Sequence, residues 1–261
     1  GDAVFILDRK IEQHRKVFLD GVCRARPRLL RHQRFNMLDP IKATIITPGL
    51  GMDGLFSRTG IPAAIVTKYL TEHGIIVEKT GLYSFFIMFT IGITKGRWNT
   101  LVAALQQFKD DYDKNQPIWR VMPKFCAKQP RYEAVGLRDL CQQIHDMYAA
   151  ADIARLTTEM YLSDMQPAMK PSDDFAKLEQ SQVERVPIDE LEGRVASALL
   201  TPYPPGIPLL VPGERFNRTI VEYLRFARDF NARFSGVEAY IHGLVETEVT
   251  GKTFYHVDCV A

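Results

Sequence analysis

The sequence predicts a mixed α/β (α+β) protein in two parts, a small α/β sandwich followed by an α+β lobe. Three observations carry that prediction. Between Lys42 and Asp113, short apolar runs alternate with two amphipathic stretches in the order β-α-β-β-α. Beyond Pro117, further helical and extended patterns lead to a terminal pair of β-rich segments separated by Thr250-Gly251. With 261 residues, 46% hydrophobic and 25% charged, the chain has the length and apolar content for one large domain or two modest ones.

The elements follow in order. Lys42 to Thr47 (KATIIT) reads as a short buried strand stopped by Pro48-Gly49. A glycine-rich loop runs from Gly49 to Gly60. Ile61 to His73 reads as a helix, with Pro62 in its first turn, Ala64, Ile65, Tyr69 and Leu70 on one face, and Gly74 as a left-handed cap. Ile75 to Lys79 and Phe85 to Ile93 read as strands. Arg97 to Asp113 is an amphipathic helix, with Trp98, Leu101, Val102, Leu105, Phe108 and Tyr112 three or four residues apart. Pro117 to Pro130 reads as a connector, and Leu137 to Tyr148 as a helix through Leu140, Cys141 and Ile144. Ser172 caps a short helix over Phe175 and Leu178. Val183 to Ile188 is then a strand, Asp189 to Leu200 a helix, and Phe216 to Phe234 a long helix burying Ile220, Val221, Leu224 and Phe230. Val237 to Val249 and Thr253 to Val260 close the chain as a hairpin.

Composition excludes several classes. The net charge of +2 gives no reason to expect a nucleic acid or a membrane surface as partner. The longest apolar run, Ser84 to Ile93, is far short of the ~18–20 residues of a spanning helix. Cys23, Cys126, Cys141 and Cys259 are scattered without a CxxC pair, which suggests free thiols. No basic-then-apolar leader pattern opens the sequence, so the cytoplasm is the expected location. Residues 1–34 stand apart, with nine Lys/Arg against four Asp/Glu. They read as a basic arm for phosphates or as a solvated linker or helix-rich tail.

The motifs narrow the chemistry. PGLGMDG (Pro48 to Gly54) follows a strand but matches neither GxGxxG nor GxxxxGK[ST], so it reads as a surface loop. The six histidines never fall in metal-ligand spacing, and there is no GxSxG. Glu78 ends the apolar run Ile75-Ile76-Val77. There a carboxylate can sit on a pocket rim and hold a cationic ligand, or it can be a solvated edge residue. Tyr203 lies in Thr201-Pro202-Tyr203-Pro204-Pro205-Gly206-Ile207-Pro208, a stiff segment that can aim its ring into a site, tether two lobes or serve as a proline-rich ligand.

Several runs together resemble the bacterial acid-inducible and biodegradative Orn/Lys/Arg decarboxylases. They are LDPIKATIITPG (Leu38 to Gly49), GIPAAIVTKYL (Gly60 to Leu70), HGIIVEKTGLYSF (His73 to Phe85), ITKGRWNTLV (Ile93 to Val102), LEGRVAS (Leu191 to Ser197) and PYPPGIPLLVPGE (Pro202 to Glu214). The resemblance runs in order from about Phe35 to Ala261. It implies the C-terminal small domain of a fold-type I, aspartate-aminotransferase-like pyridoxal-phosphate enzyme over 35–118, followed by the family's C-terminal domain over 119–261. The family's Ser-x-His-Lys segment, whose lysine forms the Schiff base, has no counterpart: no His-Lys pair occurs in the chain. The expectation is therefore the C-terminal portion of a longer decarboxylase, with no catalytic residue of its own and inactive alone.

By resemblance, Glu78 matches the acidic residue near the substrate's distal amine, and Tyr203 a tyrosine lining the same pocket. The cofactor implied is pyridoxal 5'-phosphate, the substrate a basic amino acid, the product carbon dioxide and a polyamine such as cadaverine. The implied partner is a second copy of the enzyme in a dimer or decamer. Val77-Glu78-Lys79-Thr80 looks like the lysine or ornithine branch, with lysine favoured. Two arginines that bind a guanosine alarmone in some lysine members correspond to Asp110 and Pro117, so no inhibition by the alarmone is expected. Residues 1–34 depart from the family, which has a His-Gly-Phe segment upstream of LDPIK. Codons for Pro27 to Gln33 can be chosen that read His-Gly-Phe-Tyr-Gly-Ile in a shifted frame, which makes an out-of-frame head a hypothesis that resequencing decides. A stand-alone, non-catalytic domain that docks on intact decarboxylases is the alternative.

Overall fold

A computed structural model describes residues 41–51, 53–90, 92–203, 206–237, 239–249 and 252–261. The basic head, Cys23, Pro204, Pro205 and the Thr250-Gly251 turn lie outside the described residues. The chain divides into two compact units, the second running from Asp146 to Ala261. Residues 119–145, grouped with the C-terminal lobe in the sequence reading, belong to the first unit.

In the first unit, β1 (Lys42–Ile46), β2 (Lys79–Thr80) and β3 (Ser84–Met88) form an antiparallel sheet in the order β1-β3-β2. Alternation turns Phe85 and Ile87 inward. Helix α1 (Ala63–Glu72) packs on β2 and β3 and on helix α2 (Lys95–Asp113). The buried stripe of α1 is Ala63, Ile65, Val66, Tyr69 and Leu70, and that of α2 is Leu101, Ala104, Leu105 and Phe108. Of the expected strand over Ile75–Lys79, only Lys79 lies in β2. Gly74 takes φ +74°, and the Ile75 N–H donates to the Leu70 carbonyl at 2.9 Å, so it closes the helix end rather than a ladder. Ile76 is left 83% exposed. The Phe85 strand likewise stops at Met88.

The supposed connector is helical, as α3 (Ile118–Val121) and α4 (Pro123–Lys128). Short helices of this kind lack a periodic signature and are held by tertiary bonds. The Glu72 carboxylate accepts the N–H groups of Lys124 (3.1 Å) and Phe125 (2.5 Å), and so caps α4 from α1. Helix α5 (Leu137–Ala150) follows, burying Leu137, Leu140, Cys141 and Ile144 as expected.

The second unit holds α6 (Ile153–Leu162), α7 (Pro171–Glu179) and α8 (Arg218–Arg233), with strands β4 (Val183–Pro187), β5 (Thr201–Tyr203), β6 (Tyr240–His242), β7 (Val245–Val249) and β8 (Lys252–Val260). One sheet has the order β4-β8-β7, and β5 pairs with β6. The terminal hairpin is present as β7 and β8, but Tyr240–His242 joins the other sheet. Helix α6 was not anticipated. In α7 Ser172 lies inside the helix, whose cap position is Lys170, while Phe175 and Leu178 are exposed. The buried side chain of α7 is Asp174, which accepts from the Ser197 hydroxyl at 3.1 Å.

The expected helix over Asp189–Leu200 is absent. Gly193 sits at φ +81°, and the segment bonds outward: Gly193 N–H to Phe216, Ala196 N–H to Glu214 and Ser197 N–H to Asp258 carbonyls. Long-range pairing overrides the local helical pattern. Among the described residues, no helix is long and apolar enough to cross a membrane.

Burial has a pH consequence. It pushes the Tyr112 hydroxyl up to about 12 and the Cys259 thiol up to about 11, and raises Tyr148 and Tyr223 as well. Unfolded tyrosine and cysteine release their protons near ~10 and ~8.5. Above those values the unfolded chain binds fewer protons than the folded one, so stability falls as pH rises. Urea midpoints should be level up to about pH 8.5 and decline progressively from there towards pH 11–12; a midpoint that holds at pH 11 would contradict this.

Candidate functional site

Glu78 precedes β2 at the sheet edge. Its N–H donates to the Phe86 carbonyl at 3.0 Å, one step beyond the Lys79–Phe86 pair, so its backbone is held while its side chain is exposed. The turn that follows is tight, with the Gly81 N–H donating to the Ser84 carbonyl at 2.6 Å. The tip of this hairpin is fixed from two sides: Ala63 N–H donates to Leu82, and Thr47 N–H to Tyr83, both at 2.9 Å. The backbone that carries the Glu78 carboxylate is thus held, while the carboxylate itself stands in solvent.

Next to that hairpin lies a buried polar group that sequence reasoning did not single out. Tyr83 O–H and His145 Nδ1 are 2.6 Å apart, and His145 Nε2 is 2.8 Å from the Ser57 carbonyl. A carbonyl can only accept, so Nε2 carries the hydrogen, and in the neutral ring Nδ1 accepts a hydrogen bond from the Tyr83 hydroxyl. The Phe56 ring stands edge-on to both. Two glycines make the approach possible: a Cβ on Gly60 would lie 2.1 Å from His145 Nδ1, and one on Gly49 2.2 Å from Tyr83 Cε1. The glycine-rich segment is thus a surface loop, as expected, and its Gly49 and Gly60 leave room for the Tyr83 and His145 side chains. Only their spacing around a loop was visible in the sequence; the His145 partner, some 85 residues on from Gly60, was not.

Tyr203 ends β5 in the second unit, 50% exposed, and so belongs to a different unit from Glu78. Pro202 lies within the strand, and Gly206 turns back at φ +76° against the Tyr203 ring. The stiffness inferred from the prolines is reinforced by this turn. Across the β5–β6 pair stands Tyr240, which the sequence reading had not set apart.

Among the described residues there is no group of three or more metal-ligating side chains. A covalent seat for pyridoxal phosphate is a different requirement, since a Schiff-base lysine must be activated. Every lysine whose side chain is described is exposed or half-exposed. Among the described residues no lysine thus has the fully buried setting that is one way of activating an amine for a Schiff base.

With this geometry in hand, comparison with known proteins is informative. Residues 31–97 match the family model "Orn/Lys/Arg decarboxylase, major domain", and residues 154–261 match "Orn/Lys/Arg decarboxylase, C-terminal domain". The chain belongs to the Orn/Lys/Arg decarboxylase family. Lysine decarboxylase LdcA of Pseudomonas aeruginosa is 48% identical over 228 residues, covering 86% of this chain and 30% of that protein. The inducible lysine decarboxylase of Escherichia coli K12 is 39% identical over 210 residues, covering 79% of this chain and 29% of its own length. Arginine and ornithine decarboxylases of the same organism are also similar. The solved structure of the E. coli constitutive lysine decarboxylase superposes with a TM-score of 0.81 at 36% identity, over 86% of this chain and 32% of that one. The chain spans about 30% of the length of the curated relatives it matches. The mixed α/β architecture anticipated from the sequence is the one found in these decarboxylases.

Proposed function

We propose that this chain is the C-terminal portion of a pyridoxal-phosphate-dependent decarboxylase of basic amino acids, with lysine as substrate and carbon dioxide and cadaverine as products. The observation that carries the reading is the 48% identity to a lysine decarboxylase, sustained over 228 residues. In this reading the cofactor is held by a part of the enzyme outside this chain, and stores the electrons released as the carboxylate leaves. This chain's own contribution is recognition. Glu78 binds the distal ammonium of the substrate, and Tyr203 lines the pocket. The reading places the enzyme in the cytoplasm as a homo-oligomer, and the isolated chain is inactive.

The test has two arms. The purified chain, mixed with pyridoxal phosphate and lysine, should release no carbon dioxide and trap no lysine adduct with borohydride. A chimera in which residues 35–261 replace the matched segment of P. aeruginosa LdcA should decarboxylate lysine in preference to ornithine and arginine. An inactive but folded and oligomeric chimera would overturn the reading in favour of a docking domain. In the active chimera, Glu78→Gln should raise the lysine KM about 30-fold, the effect of leaving a bound ammonium without its carboxylate.

A further inference from the structure

Tyr203 has a partner that its strand register dictates. Tyr240 stands directly opposite it across the antiparallel β5–β6 pair, with ring centroids 5.8 Å apart and planes at 38°. Tyr240 is 60% exposed and Tyr203 nearly as open, so the two rings form a shelf facing solvent rather than a core contact. The backbone beside each ring is nonetheless held. On the Tyr203 side, the Gly206 backbone comes so close that a Cβ there would lie 2.9 Å from Cε1 of the ring. The Tyr161 hydroxyl donates to the Ile207 carbonyl at 3.0 Å and ties down the same turn. On the Tyr240 side, Asn231 brackets the preceding residue: its Nδ2 donates to the Ala239 carbonyl at 3.1 Å, and its Oδ1 accepts the Ala239 N–H at 2.9 Å.

Two π-faces side by side offer apolar area to a methylene chain and a negative quadrupole to a cation at its end. We infer that Tyr240 is a second substrate-contacting residue, forming with Tyr203 one aromatic wall for an aliphatic chain that ends in an ammonium group. This inference rests on the decarboxylase reading of Tyr203 and extends it to a residue in a separate stretch of sequence. The wall selects for terminal charge, and a side chain lacking the ammonium loses the cation–π part of the contact.

The full chain, carrying ring-labelled tyrosine, can be titrated with 1,5-diaminopentane and, separately, with 1-pentanol, and followed by NMR. The ring signals of Tyr203 and Tyr240 should move together along one saturation curve with the diamine, and much less with the alcohol. Tyr240→Phe should leave the Tyr203 curve in place. Tyr240→Leu keeps apolar bulk without a π-face, and should raise the Tyr203 midpoint about two- to fivefold, the loss of one exposed cation–π contact. A Tyr203 midpoint unchanged by Tyr240→Leu, or a diamine response at neither ring of the unmodified chain, would overturn the inference. These outcomes are read on the chain alone, whereas the decarboxylase reading stands or falls with the chimera, so either can fail without the other.

Discussion

Gly213→Ala should lower the stability of the second unit by about 3–5 kcal/mol. Gly213 holds φ +93°, in the left-handed region that a side chain resists. A Cβ there would also lie 2.5 Å from the Met169 carbonyl oxygen, a backbone atom with no rotamer into which it can retreat. The same glycine joins two segments, because its N–H donates to the Ala196 carbonyl and its own carbonyl accepts from Ala168 and Met169. Relief of the clash therefore costs hydrogen bonds. Gly193→Ala is the control: φ is +81°, but nothing lies within 4 Å of the added Cβ, so the cost is that of the backbone alone, about 1 kcal/mol. Cys259 is buried in this unit, and its rate of thiol labelling in urea reports the unit directly. Equal labelling midpoints for the two variants would show that the contact with Met169 carries no weight.

His145→Leu is the second large effect, expected at about 2–4 kcal/mol in the first unit. The substitution keeps volume but removes the acceptor of the Tyr83 hydroxyl and the donor to the Ser57 carbonyl. Buried polar groups deprived of a partner cost more than the bond contributed when made. Tyr83→Phe introduced with it should restore about 1 kcal/mol, because the hydroxyl that lost its acceptor is then gone as well. The glycine-rich loop should open locally at the same time, seen as faster amide exchange over residues 55–61. Unchanged exchange there, with Cys141 labelling at the parental urea midpoint, would remove the Tyr83–His145–Ser57 chain from the forces that shape the loop.

These effects separate what is legible in a sequence from what is not. The long amphipathic helices were legible because burial is written into them at 3.6-residue spacing. The faces of Leu137, Leu140, Cys141 and Ile144, and of Ile220, Val221, Leu224 and Phe230, are buried as the spacing requires. The Leu191–Leu200 stretch carries the same kind of spacing and is not a helix, because its amides find partners on Glu214, Phe216 and Asp258, far off in sequence. Short elements failed for the complementary reason: α3 and α4 hold few residues, and the cap of α4 comes from Glu72, some 50 positions earlier. At the candidate site, Glu78 and Tyr203 attracted notice through local features, a carboxylate closing an apolar run and a tyrosine among prolines. Tyr240 has no such local mark. Its claim rests on lying opposite Tyr203, and register is a property of two strands that neither strand encodes alone.

The order of the second unit's larger sheet also sets a timetable. β4 is made long before its neighbour, for Val183 pairs with Val260 and the partner arrives 77 residues later. At ~5–20 residues per second, β4 waits about 4–15 s on the ribosome with its ladder groups open. Its sequence suits that wait. Glu184 and Arg185 put opposite charges in mid-strand, and Pro187 removes a donor at its end, so the nascent strand is a poor template for another chain until β8 emerges to claim it.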